Sequence, residues 1–429
     1  MSTTNDTTAS GPEQGRVPGA LPGYSHHRPQ AGEPAEPHRY PLLLVAAGIG
    51  VGAAITGLML ASWLAVTGMA VALAGIAGFV LVPSPIRARG WQPPAAPSPT
   101  GVLAPNRLLA DAEVIGAGQV AGPEDLALTP DGKTLYASSF GDGRIVRIDA
   151  GPGGGDRVTT HATTHGSPVD MALRPDGSLL VCDWSRGLLQ ISPAGQVRTL
   201  LRLGEQVNGR PFVRPDGVAE AADGTIYLSE GSGRPGAWNG VFEVLEAGEY
   251  GRVLALDPVS REVRTVLDGL SFANGVAIEP GGRFLVVADQ YRYRITRLWI
   301  TGPTAGRVDQ FAENLPGLPH NLHYDAEGLL WAGLYQLRNA TLDRISPRPR
   351  LKEFLAKLPP VVVAGPERVR DGKPGRGGVI ALDPAGQVVH YLAEPPSRVD
   401  TVSAAVRYRD TLYISTLTGD AILRVHLPG

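Results

Sequence analysis

Polar side chains recur at one fixed distance from a series of turn residues in this 429-residue sequence. The turn residues are Asp131, Asp176, Asp223, Gly281, Glu327 and Asp410, and the residues seven positions before them are Glu124, Val169, Asp216, Asn274, His320 and Ser403. Five of these six are polar, and four could give an oxygen or nitrogen atom to a metal ion. A hard cation such as Ca²⁺ binds six to eight oxygen ligands from carboxylates, amides and water. The pattern predicts a metal site if the positions meet in space; solvated loop residues are the alternative.

These positions belong to copies of one short sequence unit. The clear copies are PEDLALTPDGKTLYAS from Pro123, PVDMALRPDGSLLVCD from Pro168, PDGVAEAADGTIYLSE from Pro215, ANGVAIEPGGRFLVVAD from Ala273 and PHNLHYDAEGLLWAGL from Pro319, and a degenerate copy is VSAAVRYRDTLYISTL from Val402. Each has the pattern of a β-hairpin, with an alternating strand, a tight turn and a second apolar strand. Further strands follow, so six four-stranded units predict an all-β fold, a six-bladed β-propeller whose ring positions surround one channel mouth. A β-sandwich is the alternative, but it would not explain six copies of one hairpin.

Composition narrows the functional classes. The chain has 39 Lys and Arg against 41 Asp and Glu, a formal net charge of -2, which argues against a protein that coats nucleic acid. The 55 Gly and 38 Pro residues favour a turn-rich β architecture. A single cysteine, Cys182, excludes an intramolecular disulfide and a cysteine-based zinc site.

The region before the repeats divides into three parts. Residues 1–39 are polar and lack helical or strand periodicity, which predicts a disordered tail. Residues 40–86 contain no ionisable side chain except that of Tyr40, and because about 20 apolar residues cross a bilayer, they predict a membrane segment. Residues 87–108 are rich in Pro and Ala and predict an extended spacer. The propeller is then expected over residues 109–429.

The membrane segment is long enough for two crossings, roughly residues 42–62 and 65–82. This helical hairpin is the favoured prediction, because basic residues flank both ends of the segment and basic flanks remain in the cytoplasm. It would place the propeller on the cytoplasmic side of a plasma membrane or bacterial inner membrane. A single long crossing would place the propeller on the other side.

Three runs within residues 272–360 carry a family resemblance. They are FANGVAIEPGGRFLVVADQYRYRITRLWITGP, NLPGLPHNLHYDAEGLLWAGL and SPRPRLKEFLAKLP. These runs resemble the strictosidine synthase-like family of six-bladed propellers, which is related to the gluconolactonase/regucalcin and paraoxonase enzymes. The resemblance covers roughly residues 105–429 and is most specific in the fourth and fifth blades.

The resemblance implies a Ca²⁺ ion in the channel, with Glu124 and Asn274 among its ligands. Asp216 stands where these families usually have Asn and is expected to replace it as a ligand, and Asn321 is a further candidate. His320 stands where the pattern usually has Asp, and a neutral imidazole suits Zn, Fe or Mn better than Ca²⁺. His320 is therefore predicted either as a ligand or as the catalytic general base.

Three more residues are expected beside the ring, as supporting or substrate-contacting groups: Glu230 and Asp289, which end second strands, and Ser403. Ser403 also replaces the last-blade Glu with which strictosidine synthase deprotonates its amine substrate, and Val169 replaces the catalytic His of paraoxonase-type lactonases.

The leading expectation is metal-dependent hydrolysis of a small ester or lactone, since a dication polarises a carbonyl group. A non-catalytic membrane-tethered binding module and a C–N bond-forming enzyme of the strictosidine synthase type are the alternatives.

The fifth repeat is interrupted over residues 335–377. Leu351, Phe354, Leu355 and Leu358 follow helical spacing there and predict a short amphipathic helix. Such a helix could cover the channel mouth as a lid, lie against the bilayer, or pack on the rim of the propeller.

Overall fold

The computed structural model describes residues 62–149, 155–234, 240–359, 377–393 and 399–427. Within these residues the chain forms six four-stranded antiparallel sheets and one two-stranded hairpin. The predicted all-β, six-bladed propeller is therefore confirmed.

Strands are numbered along the chain, and each blade takes four of them. The strands are β1 (Glu113–Ile115), β2 (Pro123–Leu128), β3 (Thr134–Ser139), β4 (Arg144–Asp149), β5 (Arg157–Thr163), β6 (Pro168–Leu173), β7 (Leu179–Asp183), β8 (Gly187–Ile191), β9 (Val197–Leu201), β10 (Gln206–Val207), β11 (Arg210–Pro211), β12 (Pro215–Glu220), β13 (Ile226–Glu230), β14 (Gly251–Leu256), β15 (Val263–Leu270), β16 (Ala273–Ile278), β17 (Phe284–Asp289), β18 (Arg294–Trp299), β19 (Val308–Ala312), β20 (Gly317–Tyr324), β21 (Leu330–Leu337), β22 (Gly378–Leu382), β23 (Val388–Leu392), β24 (Val402–Tyr408), β25 (Thr411–Thr416) and β26 (Ile422–His426). Blades 1 to 5 are β2–β5, β6–β9, β12–β15, β16–β19 and β20–β23, and blade 6 combines β24–β26 with β1. The separate hairpin is β10–β11.

The first two strands of each blade meet at the turn that the repeats predicted. Gly132 in blade 1 has a φ of +71° and Gly328 in blade 5 has a φ of +83°, a conformation that glycine adopts without steric cost. The sixth copy has no glycine at this place, and Arg409 takes a φ of +56° instead. This difference explains why the sixth copy looks degenerate in sequence.

The ring of blades is closed by strands from both ends of the propeller. Strand β1 pairs antiparallel with β26, with Val114 opposite Leu423. Across this pair the Arg424 guanidinium donates to both carboxylate oxygens of Glu113, at 2.8 and 2.6 Å. The sixth blade therefore depends on residues that lie about 300 positions apart in the sequence.

The hydrophobic core lies between neighbouring sheets. Val286 of blade 4 packs in one cluster with Leu322 and Leu330 of blade 5. Leu180 of blade 2 packs in another with Val218 of blade 3. Because each cluster joins two blades, truncating one of these side chains loosens an interface between blades and not one sheet alone.

Among the described residues, four α-helices accompany the sheets: α1 (Ser62–Leu81), α2 (Gly240–Glu246), α3 (Ala340–Ile345) and α4 (Pro349–Leu355). The part of the fifth-blade insertion that the structure describes, up to residue 359, thus contains two helices where the sequence predicted one. Asn339 caps α3 by accepting from the backbone N–H groups of Thr341 and Leu342, and Pro349 at the first turn of α4 begins a new helix because proline needs no N–H partner there.

Helix α1 covers the second half of the predicted membrane segment. The predicted tail, residues 1–39, and most of the first predicted crossing, residues 42–62, lie outside the described residues. No helix in the described part of the chain has the combined length and apolarity that a membrane span requires.

Strand register shows which end of the channel carries the helices. Pro215 at the start of β12 pairs with Glu230 at the end of β13, and Gly317 at the start of β20 pairs with Leu337 at the end of β21. The connections that leave β13 and β21, which contain α2 and α3–α4, therefore lie at the end where the first strands begin. We call this end of the channel the ring mouth.

Candidate functional site

The predicted ring residues occupy equivalent places at the start of the innermost strands. Glu124, Asp216, Asn274 and Ser403 are each the second residue of their strand, and His320 is the fourth residue of the longer β20. All five side chains belong to residues that are at most 6% exposed. A group that enters this ring therefore leaves bulk water behind.

A bulge interrupts every innermost strand at the ring. The pairing of β2 with β3 shifts register between Pro123 and Leu126, and an equivalent shift occurs in each of the other five blades. A bulge breaks the strict alternation of side chains, so two successive residues can serve one site. Asp125, Asp170 and Asn321, each of which follows a ring position, join the site in this way.

Glu124, Asp125 and Asn321 form a hydrogen-bonded group that links blade 1 to blade 5. The Nδ2 of Asn321 lies 3.0 Å from Oε2 of Glu124, 3.2 Å from the Glu124 carbonyl oxygen and 3.3 Å from Oδ1 of Asp125. The same Oδ1 lies 2.7 Å from Nε2 of His323. Oδ2 of Asp125 accepts the backbone N–H of Met171 at 2.8 Å. Asp125 is thus bonded on both oxygens.

His320 lies between Glu124 and an aromatic ring. Its Nδ1 is 3.3 Å from Oε1 of Glu124, and its imidazole stacks on Tyr335 with ring centroids 5.2 Å apart and planes 16° from parallel. Burial lowers the pKa of His320 to about 3, against the opposing effects of Asn321 and of the Ser403 backbone. The imidazole is therefore neutral near pH 7, and it can act as a metal ligand or accept a proton.

Two buried carboxylate oxygens at the site have no hydrogen-bond partner among the described residues. They are Oδ2 of Asp170 and Oδ2 of Asp216. In contrast, Asn274 donates from Nδ2 to Oε1 of Gln290 at 2.9 Å, and its Oδ1 accepts the N–H of Gly275 at 2.8 Å. Leaving a buried carboxylate oxygen unpaired costs free energy, so these two atoms mark positions where a cation or a proton would be stabilised.

Burial raises the pKa of Glu124, Asp170 and Asp216 well above the ordinary values of these acids. The negative charge of Asp125 raises the pKa of Glu124 and of Asp170 further, whereas the Arg214 guanidinium partly lowers that of Asp216. The mutual effects show that these acids lie within electrostatic reach of one another. The site therefore concentrates negative charge that burial makes unfavourable.

The family of the chain follows from comparison with known proteins. The strictosidine synthase family model matches residues 217–303, and the model for the N-terminal part of strictosidine synthase-like proteins matches residues 101–148. Protein STRICTOSIDINE SYNTHASE-LIKE 4 of Arabidopsis thaliana is 32% identical over 333 residues, which cover 77% of this chain and 86% of that protein. The chain belongs to the strictosidine synthase-like family.

Two other similarities extend this finding. The human adipocyte plasma membrane-associated protein is 29% identical over 367 residues, covering 82% of this chain and 86% of that protein. Among solved structures, a gluconolactonase from Xanthomonas campestris superposes with a TM-score of 0.52 at 19% identity, covering 81% of this chain and 99% of the other. At that identity the structural likeness shows a shared fold.

In this strictosidine synthase-like propeller, three serines in the second strands of their blades hydrogen-bond to the backbone of the ring residues and their neighbours. Ser229 in β13 accepts the N–H of Gly217 at 2.7 Å and donates to the carbonyl oxygen of Asn274 in the next blade at 2.6 Å. Ser138 in blade 1 and Ser415 in blade 6 make the same pair of bonds. Each hydroxyl satisfies two backbone groups that the bulge leaves unpaired, and it joins two blades at the ring.

Of the residues that follow the ring positions, Asn321 was predicted from the sequence, but the two acids Asp125 and Asp170 were not. In the shared register the following residues are Asp125, Asp170, Gly217, Gly275, Asn321 and Ala404, so two further acids were visible one step along the chain. His323, which contacts Asp125, was not among the predicted site residues. It stands where four other copies have alanine, at Ala127, Ala172, Ala219 and Ala277. A histidine at a position where these copies have alanine could have identified His323 as a candidate site residue.

The predicted supporting residues lie beside the ring. Glu230 forms a buried ion pair with Arg252 and accepts the N–H of Val213 at 3.0 Å. Asp289 accepts the N–H of Ser271 and the Nε of Arg294, both at 2.7 Å. These two acids therefore hold connecting segments in place.

The third supporting residue, Ser403, has partners in blades 1 and 6. Its Oγ lies 2.9 Å from Oγ of Ser415 and donates to the carbonyl oxygen of Pro123 at 3.3 Å. The hydroxyl is thus bonded to groups of the scaffold at the ring.

Aromatic side chains stand around the ring mouth. Phe140 and Trp184 meet edge to face with centroids 5.5 Å apart, and Phe272 and Tyr291 lie 5.3 Å apart. All four belong to connections at the ring mouth, and Tyr335 lies near the end of β21, on the same side. The mouth therefore combines an apolar rim with a polar, charged centre.

Within the described residues, no group of three or more His, Cys, Asp or Glu side chains is arranged to hold a metal ion. A cation at the ring would therefore require amide oxygens as well as carboxylates. Asn321 places such an amide beside Glu124, and Asn274 and Asp216 hold equivalent ring positions in blades 4 and 3. This mixture of oxygen donors is the kind that Ca²⁺ accepts.

Proposed function

We propose that this strictosidine synthase-like propeller hydrolyses small esters or lactones at the ring, with a divalent cation as cofactor. The observation that carries the proposal is the group of buried acids at the ring. Glu124, Asp170 and Asp216 are at most 2% exposed, their pKa values are raised by burial, and two of them have an oxygen without a partner. Perturbed acids gathered in one cavity are typical of catalytic and metal sites.

The donor chemistry fits a hard cation. Glu124, Asp216, Asn274 and Asn321 would supply its oxygen ligands, and Ca²⁺ is the favoured ion. His320 would add a nitrogen donor, which makes Zn, Fe or Mn the alternative. When bound, such a dication would polarise the carbonyl group of an ester or lactone and lower the pKa of bound water.

The chain itself contributes orientation and proton transfer. His320 is neutral because burial holds its pKa at about 3, and its Nδ1 lies 3.3 Å from Oε1 of Glu124. With a dication bound, Glu124 would be held in its ionised form, and its carboxylate would then stabilise a proton taken up by the imidazole. The aromatic rim at Tyr335, Trp184 and Tyr291 would hold the apolar part of the substrate and keep water from the ring.

Metal analysis together with an activity assay tests this function. The purified full chain should contain a stoichiometric divalent ion and hydrolyse members of a panel of aryl esters and lactones. Glu124→Gln and Asn274→Ala should each reduce turnover by roughly tenfold or more, with an unchanged circular dichroism spectrum. The matched control is Asp223→Asn, an exposed acid in a turn at the far end of blade 3, which should retain full turnover.

Two outcomes would separate the alternatives. A metal-free protein that turns over no ester or lactone would reject the hydrolase and favour a non-catalytic binding module. A C–N bond-forming reaction of the strictosidine synthase type has less support, because Ser403 is committed to Ser415 and Pro123 and provides no base where that enzyme uses Glu.

Attachment to a membrane through residues 40–86 is also part of this proposal. It is supported by the uncharged run in the sequence and by similarity to a plasma membrane-associated protein. If the run forms a hairpin, the propeller lies on the cytoplasmic side. Protease protection in right-side-out and inverted vesicles tests the sidedness, and release of the full chain by carbonate washing would contradict the attachment.

A further inference from the structure

The segment that joins α1 to the propeller is bound to the helices at the ring mouth. We call residues 83–91 the strap. Its backbone accepts and donates in several places: Arg89 N–H donates to the Glu246 carbonyl at 2.9 Å, and Trp91 N–H donates to the Ser346 carbonyl at 3.1 Å. The Ser84 hydroxyl donates to the Glu353 carbonyl at 3.0 Å. The strap is thus fixed to the ends of both α2 and α3 and to α4.

Apolar and cationic contacts add to these hydrogen bonds. Ile86 is 3% exposed and packs with Leu245 of α2 and with Ala356 just after α4. The Nζ of Lys352, on a fully buried side chain, donates to the Arg89 carbonyl oxygen. The strap and the helices therefore form one packed unit, and the position of α1 is tied to that unit.

The C-terminal end of α1 meets α4 directly. Phe79 and Phe354 pack edge to face, with ring centroids 5.5 Å apart and planes at 82°. Despite this contact Phe354 is 44% exposed, and Leu351 on the same helix is 37% exposed. Leu81, the last residue of α1, is 80% exposed. An apolar surface thus continues from α1 onto α4.

Exposed apolar side chains are concentrated at this place. Eleven large apolar residues are exposed in the described part of the chain, and six of them lie on α1 or α4: Met69, Val71, Leu73, Leu81, Leu351 and Phe354. The other five are valines dispersed over the propeller. On α4 the apolar pair is flanked by the exposed residues Arg348 and Arg350. Apolar residues with an arginine rim suit the boundary between acyl chains and anionic headgroups.

The same surface lies at the ring mouth. Helices α3 and α4 leave β21 beside the start of β20, as the pairing of Gly317 with Leu337 shows. The apolar surface and the ring residues Glu124 and His320, at the starts of their strands, are therefore at one end of the propeller. The turns between first and second strands, such as that at Gly132, lie at the other end.

We propose that the surface formed by Leu351, Phe354 and the end of α1 rests on an anionic lipid bilayer, so that the ring mouth opens toward the lipid. The inference rests on the membrane attachment proposed above. A lipid surface is favoured over a second copy because the exposed apolar face includes the end of α1, and α1 belongs to the sequence run 41–86, which carries no ionisable side chain. The substrates would then be apolar esters or lactones that partition into the membrane, since they would reach the ring without crossing the aqueous phase.

Site-specific fluorescence on the full chain in vesicles tests the orientation. Cys182 is the one cysteine of the sequence and is 0% exposed, so an introduced cysteine can be labelled alone with an environment-sensitive fluorophore. Leu351→Cys and Phe354→Cys place the label on the proposed surface. The matched control, Val259→Cys, replaces an apolar residue that is 90% exposed in the turn after β14, at the end of the propeller opposite the ring mouth.

The vesicles contain phosphatidylcholine and phosphatidylglycerol. Labels at 351 and 354 should be quenched by doxyl-labelled phospholipid and protected from iodide, whereas the label at 259 should be quenched by iodide alone. If the protein floats with the vesicles but all three labels respond only to iodide, the orientation is wrong. If labels at 351 and 354 are protected from both quenchers, a second copy or residues 40–61 cover the surface, which also overturns the proposal. Failure of the protein to float with vesicles would instead contradict the membrane attachment.

A charge variant provides a second measurement. Arg348→Glu combined with Arg350→Glu should weaken doxyl quenching of the label at 354, because the anionic headgroups would then repel α4. The same substitutions should leave the label at 259 unaffected. Undiminished doxyl quenching in vesicles rich in phosphatidylglycerol would show that the arginines do not contact headgroups.

Discussion

The Nε2 atom of His323, in the innermost strand of blade 5, lies 2.7 Å from Oδ1 of Asp125, in the innermost strand of blade 1. Blade 6 lies between these two strands in the chain's ring order, so the contact spans the channel and does not join adjacent sheets. Asp125 is 0% exposed, and its other oxygen binds the backbone of blade 2. One carboxylate therefore connects three blades at the site.

Asp125→Asn should destabilise the protein because it removes the charge that pairs with His323 and weakens a buried network. We expect a loss of about 2 kcal/mol in the free energy of unfolding, measured by urea denaturation. Asp131→Asn, which changes an exposed acid of the same blade, should unfold at the same midpoint urea concentration as the parent protein. An unchanged midpoint in Asp125→Asn would show that the pair makes no net contribution.

The stability of the metal-free protein should depend on pH in a defined direction. In the unfolded chain carboxyl groups lose their protons near pH 4, whereas burial raises the folded-state pKa of Glu124, Asp170 and Asp216 well above that. At these three acids the folded state then binds more protons, so their contribution to stability should be fully present below about pH 4 and be lost as pH rises through the raised pKa values.

Thermal unfolding at several pH values in the presence of EDTA measures this effect. Added Ca²⁺ should restore stability on the alkaline side, because the ion takes the place of the protons. A melting temperature that rises with pH between 4 and 7 in EDTA would contradict the prediction. In Glu124→Gln, the melting temperature in EDTA should depend less on pH than it does in the parent protein.

Ser229→Ala should cost about 3 kcal/mol of unfolding free energy, since it leaves the N–H of Gly217 and the carbonyl oxygen of Asn274 buried without a partner. The natural control is Ser229→Cys. Cys182 occupies the equivalent place in blade 2, where its Sγ lies 3.6 Å from the Gly217 carbonyl oxygen. The cysteine variant should lose less than the alanine variant in the same denaturation experiment, and equal losses would exclude the bridging role.

His320→Asp should change the metal preference. A carboxylate in place of the imidazole favours Ca²⁺ over Zn²⁺, so titration calorimetry should give a Ca²⁺ affinity higher by roughly tenfold or more. His165→Asp alters an exposed histidine and should leave the affinity as it was. If His320→Asp also leaves the affinities for Ca²⁺ and Zn²⁺ unchanged, His320 is not a metal ligand.

The repeats predicted most of the architecture, because an alternating strand with a glycine turn encodes a hairpin locally. Gly132 and Gly328 have the positive φ that the pattern required. The outer strand β1 was different. Glu113–Ile115 is short and partly exposed, and its place is decided by pairing with β26, which is a contact that no local pattern reports.

Part of the site was also predicted from the repeats. Counting from the turns identified Glu124, Asp216, Asn274 and His320, since every copy keeps the same register. Asp125 and Asp170 lie one position further along, where strict alternation would point their side chains to the other face of the sheet. The bulge at each ring position breaks that alternation.

The pairing of β1 with β26 also determines the order in which the molecule can be completed. Strand β1 precedes blades 1 to 5 in the chain, and its partner β26 follows all of them. During synthesis Glu113–Ile115 therefore remains an unpaired edge while the strands of five blades are added after it. Blade 6 closes only after β26 has been synthesised, so the ring is completed last.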